Sequence, residues 1–147
     1  MQKAVTEQTK PELKKTGIQV SICPAGEAFP LPTEADYQSE FKKLEKITRE
    51  QRLKGREIVV VMGVGFVGAV MAAVVAYSVD KKTGQPSKFV IGMQRPSPRS
   101  YWKIPYLNRG EAPVKAEDPE VAPMIERCVK SKKTLMATFT YDVLSLA

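Results

Sequence analysis

The chain has 147 residues, 43% of them apolar and 27% charged, with a net charge of +7; this is the balance of one ordinary globular domain with a core of its own. It contains no histidine and two cysteines, Cys23 and Cys128, far apart and without C-x-x-C spacing. A histidine-dependent triad is therefore excluded within the chain, a zinc-type metal site is not expected, and both thiols read as reduced packing residues of a cytosolic protein.

The positive charge is spread over both halves, which fits a solvated surface or an attraction to anions such as nucleotide phosphates. The first residues, "MQKAVTEQTKPELKKTG", have no apolar h-region and are not read as a signal peptide. "GIQVSIC" alternates Ile18, Val20 and Ile22 and predicts a short strand or extended edge; "PAGEAFPLP" reads as a loop. Thr33 opens a helix with the capping pattern Thr33-x-x-Asp36. Tyr37, Phe41, Leu44 and Ile47 then recur at helical spacing, and Gly55 can end the helix. The reading preferred for residues 1–55 is an extension whose amphipathic helix packs on the domain; the sharper alternative is a partner-binding arm.

"IVVVMGVGFVGAVMAAVVAY", Ile58 to Tyr77, is an uncharged run of twenty residues. Twenty apolar residues suffice to cross a bilayer, and Gly65-x3-Ala69 and Gly68-x3-Ala72 are spacings that pack membrane helices. A membrane-anchored or scaffold protein with one span at 58–77 is thus one reading. The composition within the run favours another. "EIVVVM" is β-branched like a buried parallel strand, Gly63-Val64-Gly65-Phe66-Val67-Gly68 completes G-x-G-x-x-G, and "FVGAVMAAVVAYSV" is an alanine-rich helix. In that reading Gly63 makes the turn, Gly65 admits a pyrophosphate to the backbone, and Gly68 lets helix and strand approach. The helix start offers its free N–H groups to the phosphates. After the polar "DKKTGQPS", the run "KFVIGMQ", Lys88 to Gln94, supplies the next strand of a βαβ unit.

The segment "RPSPRSYWKIPYLNRGEAPVKAEDPEVAP" holds six of the eleven prolines, so long regular structure is not expected there. Its basic residues alternate with Tyr101, Trp102 and Tyr106, but no nucleic-acid module accompanies them and no nucleic-acid partner is assigned. Asp118 or Glu120 can begin a helix through "VAPMIERCVKSKK". "TLMATFT" predicts a third strand and "YDVLSLA" the start of another helix. The fold class expected is α/β: a Rossmann-like, partial doubly wound parallel sheet over 56–147, with an N-terminal helical extension over 1–55. With three strands read, the sequence is expected to be the N-terminal piece of a longer protein.

"VVVMGVGFVG", "VIGMQRPSPRSYWKIPYLNRGEAPVKAEDPEV" and "ATFTYD" resemble the N-terminal half-domain of the nucleotide-sugar 6-dehydrogenases, the UDP-glucose and UDP-N-acetyl-mannosamine dehydrogenase group. The most specific part is N-x-G-x-x-P at Asn108, Gly110 and Pro113; the resemblance covers about Arg56 to Ala147. It implies an NAD-binding oxidoreductase of a polysaccharide pathway in the cytoplasm. Such an enzyme oxidises the sugar 6-hydroxyl to a carboxylate through a covalent intermediate on a cysteine. It implies a nucleotide-sugar substrate, a homo-oligomeric full-length protein and no membrane partner. Cys128 does not match the family's nucleophile, so no catalytic residue is assigned and the chain alone is expected to be inactive. The cofactor residues carried over are Gly63, Val64, Gly65, Phe66, Val67 and Gly68 for the pyrophosphate, with Gln94, Arg95 and Arg99 toward the adenosine ribose. The family's acidic residue falls at Gln94, which accepts fewer hydrogen bonds and repels no phosphate, so NADP stands beside NAD as a candidate cofactor.

Overall fold

The computed structural model describes residues 17–147, and the reading of the first sixteen residues lies outside them. The described chain opens with an antiparallel hairpin of β1 (Val20–Ile22) and β2 (Ala28–Pro30), with Ser21 opposite Phe29. Gly26, at φ +93°, and the Cys23 N–H bond to the Glu27 carbonyl (2.9 Å) close the turn. The segment expected as a loop therefore contributes a strand. Three residues ending in proline are too short to show an alternation, and it is the complete burial of Ala28 and Phe29 that holds them in place.

Helix α1 (Glu34–Leu53) starts where its cap predicts. The Asp36 amide donates to Thr33 Oγ1 (3.3 Å) and the Thr33 amide donates to Asp36 Oδ2 (2.8 Å), so two otherwise orphaned donors are satisfied reciprocally. Gly55, at φ +79°, follows its end. Leu44, Thr48 and Gln51 form its buried stripe, and Thr48 returns its hydroxyl to the Leu44 carbonyl at 2.9 Å.

β3 (Glu57–Met62), β4 (Lys88–Met93) and β5 (Leu135–Thr138) form a parallel sheet in that order, with Val59 opposite Val90 and Gly92 opposite Ala137. α2 (Phe66–Tyr77) links the first two strands. The uncharged run is therefore divided into strand, glycine turn and helix. The 12 helical residues reach roughly 18 Å, against a hydrocarbon core of about 30 Å. Among the described residues no helix is long and apolar enough to cross a membrane, which removes the span read at 58–77.

Two short helices, α3 (Lys103–Asn108) and α4 (Val121–Glu126), lie between β4 and β5. α4 widens into a π-type turn over Arg127–Ser131 rather than continuing as a regular helix. A 3-10 turn over Tyr141–Leu146 stands where a helix start was expected.

The period-two alternation of the strands divides the core. Val90, Leu135 and Ala137, with Val59 and Val61, pack toward α2, α3, α4 and the hairpin. Ile58, Phe89, Ile91, Met93 and Met136 pack toward Leu44 of α1 and Val143 of the last turn. The architecture is α/β and Rossmann-like, with helices on both faces of a three-stranded parallel sheet.

Candidate dinucleotide site

The carboxyl end of β3 turns directly into α2, and the three motif glycines there answer to three different constraints. Gly63 has φ +90°, and its N–H donates to the Met93 carbonyl at 2.6 Å. A side chain would strain this conformation, so the tight turn requires glycine. A Cβ on Gly68 would lie 1.8 Å from the Gly63 carbonyl oxygen and 2.8 Å from its carbon. Those neighbours are backbone and cannot rotate away; glycine is needed for the helix to pass this close. Gly65 is different. It caps α2 at φ −71°, ψ −163°, a conformation open to any residue, and a Cβ there would meet nothing within 4 Å. Nothing among the described residues explains its lack of a side chain.

The first amides of α2, on Phe66 and Val67, lie in the turn that has no intrahelical acceptors, at the positive end of the helix dipole. Their side chains are exposed. Val64 is buried, and its methyl lies where a Cβ on Gly92 would come within 2.6 Å. Gly92, which the sequence reading passed over, is thus the small residue of β4 that admits Val64 to the core.

Gln94 follows β4 and is brought to the glycine turn. Its Oε1 accepts the Val64 N–H at 3.1 Å, and its own N–H donates to the Thr138 carbonyl at 3.0 Å. The ends of all three strands are therefore tied together at one edge of the sheet. With one lone pair of the amide oxygen used by Val64, Gln94 keeps the second lone pair and its two Nε2 hydrogens. Arg95 and Arg99 lie exposed in the following loop, which is held by Ser100 Oγ donating to the Arg95 carbonyl (3.1 Å) and Trp102 Nε1 donating to the Arg99 carbonyl (3.1 Å). The extension reaches the same edge from the other face, where Glu40 Oε1 of α1 accepts the Thr138 hydroxyl at 3.1 Å. No motif in the sequence pointed to Glu40.

The N-x-G-x-x-P segment meets the last strand of the sheet through Asn108. Asn108 Nδ2 donates to the Ala137 carbonyl (3.1 Å) and its Oδ1 accepts the Ala137 N–H (2.7 Å), so one side chain imitates a strand along β5. Gly110 takes φ +83° against Lys130 and Glu126. Cys128 is fully buried, its Sγ facing the Ala73 carbonyl at 3.7 Å, and burial pushes its thiol pKa up. A buried thiol held neutral is a poor nucleophile.

No protein-family model matches the chain, and no curated protein matches it. Among solved structures, the chain is similar to NDP-N-acetyl-D-galactosaminuronic acid dehydrogenase from Methanosarcina mazei Go1, with 35% identity and a TM-score of 0.49. The match covers 68% of this chain and 19% of that one. That protein is a nucleotide-sugar dehydrogenase, the group whose motifs the sequence resembles.

Proposed function

We propose that this chain is the dinucleotide-binding portion of a nucleotide-sugar 6-dehydrogenase, and that NAD or NADP binds across the carboxyl ends of β3, β4 and β5. The observation that carries the reading is Gly65. Its conformation requires no glycine and its Cβ position faces open space at the amino end of a helix, as expected where a backbone must come close to a pyrophosphate. The Phe66 and Val67 amides would hold the phosphates, and Gln94 would meet the adenosine ribose, with Arg95 and Arg99 close by in the chain. When bound, the nicotinamide supplies the hydride acceptor; these residues contribute binding and orientation.

The substrate, a nucleotide sugar oxidised at its 6-hydroxyl, follows from the family resemblance and belongs to the complete enzyme. Cytoplasmic location and a role in polysaccharide synthesis are part of the same proposal.

Gly65→Val tests the site. A Cβ here meets nothing within 4 Å and the backbone conformation is open to any residue, so the fold should persist while dinucleotide affinity falls at least about a hundredfold. Calorimetric titration with NADH and NADPH, alongside circular dichroism, measures both. Equal affinity in the two folded proteins removes Gly65 from the site and the proposal with it.

A further inference from the structure

We infer that Glu40 of α1 stands in for the carboxylate that the end of β4 lacks, meeting the cofactor's adenosine beside β5 and favouring NAD over NADP. This rests on the dinucleotide reading. The second strand of such a site ordinarily ends in a carboxylate, which accepts from the ribose hydroxyls and repels a 2′-phosphate. Here that strand is followed by Gln94, which is neutral.

Two hydrogen bonds bring a carboxylate back to the same edge. Gln94 donates its N–H to the Thr138 carbonyl at 3.0 Å. Thr138, the last residue of β5, is fully buried and donates its hydroxyl to Glu40 Oε1 at 3.1 Å. A single residue therefore links Gln94 to Glu40, across neighbouring strands that lie about 4.8 Å apart. The strands run in the order β3, β4, β5. With the pyrophosphate at the start of α2 and the ribose at the end of β4, the adenosine extends toward β5.

Glu40 is half-buried, and among the described residues its Oε2 accepts no hydrogen bond and it pairs with no cation. Asp36, one turn earlier, is taken up by the Thr33 amide and hydroxyl. The Glu40 charge is felt inside the protein. The phenol pKa of buried Tyr101 is pushed up by burial first, then by Glu40 and Asp36. Arg95 and Arg99 carry the opposite charge after Gln94, but both are exposed. Solvent screens an exposed guanidinium, whereas a half-buried carboxylate fixed by a buried hydroxyl keeps more of its field. Glu40 therefore sets the sign of the preference.

Calorimetric titration of the whole chain with NADH and with NADPH tests this, and the unsubstituted protein should bind NADH more tightly. Glu40→Gln keeps the length and an oxygen for Thr138, so circular dichroism should not change. NADPH should then gain about tenfold in affinity relative to NADH. Glu50→Gln removes the same charge from an exposed position roughly 15 Å along α1 and should leave the ratio as it was. An unsubstituted chain that prefers NADPH, a ratio unmoved by Glu40→Gln, or one moved as far by Glu50→Gln overturns this inference and leaves the dinucleotide reading standing. Binding of neither cofactor overturns both.

Discussion

If the dinucleotide binds as proposed, Gln94 is a side chain placed to influence which cofactor is preferred, through the hydrogen bond it makes to Val64. An acidic residue at this place accepts the Val64 N–H with one oxygen and still offers the other to a ribose hydroxyl. Glutamine uses one lone pair of its single oxygen on Val64 at 3.1 Å, which leaves one acceptor site beside two donors. Donors suit a 2′-phosphate as well as a hydroxyl, and Gln94 itself carries no negative charge to repel the phosphate. Gln94→Glu keeps the same length and can keep the Val64 bond, so it changes charge and acceptor count with little change of shape. A carboxylate there also faces the favourable end of the α2 dipole. The ratio of NADP to NAD dissociation constants should rise by about 10- to 100-fold, or roughly 1.4 to 2.8 kcal/mol. Titrating both proteins with both cofactors is sufficient. An unchanged ratio would show that Gln94 serves the turn alone and does not meet the ribose.

Between elements, the contact of α3 with β5 shows how a motif can be visible in sequence while its purpose is not. Asn108 was singled out by the family resemblance, but only the fold shows that its amide forms both hydrogen bonds to the Ala137 backbone. Among the described residues β5 has no neighbouring strand on that side, and Asn108 satisfies the edge. Asn108→Ala leaves both backbone groups of a buried residue without protein partners and should cost about 2 kcal/mol. Urea denaturation should show a lower midpoint at unchanged slope; a loss below about 0.5 kcal/mol would mean that water replaces the amide there. The elements legible in advance were those whose local signal and tertiary fate agree. The α1 cap, the β3 run and the glycine turn belong to this group. β2 was hidden because its only signal is the burial of Ala28 and Phe29, which depends on distant partners. The widened turn at Arg127–Ser131 was equally hidden, since nothing in "RCVKS" breaks a helix; it carries the chain to Thr134, whose N–H donates to the Cys128 carbonyl at 2.9 Å.

At the scale of the molecule, what the sequence divided into extension and nucleotide domain shares its cores. One face of the sheet is closed by Leu44 of α1 over Ile58, Phe89, Ile91, Met93 and Met136, while Phe29 of the hairpin joins the core on the other. The hairpin is pinned further by Arg109, which pairs with Glu27 at 2.9 Å and stacks its guanidinium 5.3 Å from the Phe29 ring and 4.9 Å from that of Tyr106. Removing residues 1–55 would uncover much of both faces. Each large apolar side chain returned to water costs about 1.5 to 3 kcal/mol, so even partial exposure of the five sheet residues beneath α1 amounts to roughly 5 to 10 kcal/mol. A domain of this size has about 5 to 15 kcal/mol in total. A chain beginning at Arg56 should therefore lack a cooperative unfolding transition and bind a hydrophobic dye, while the whole chain unfolds in one step. Differential scanning calorimetry and dye fluorescence on the two proteins decide it. A truncated chain that melts cooperatively near the temperature of the whole one would show that the sheet, α2 and α4 form a separable unit, and that α1 is an appendage after all.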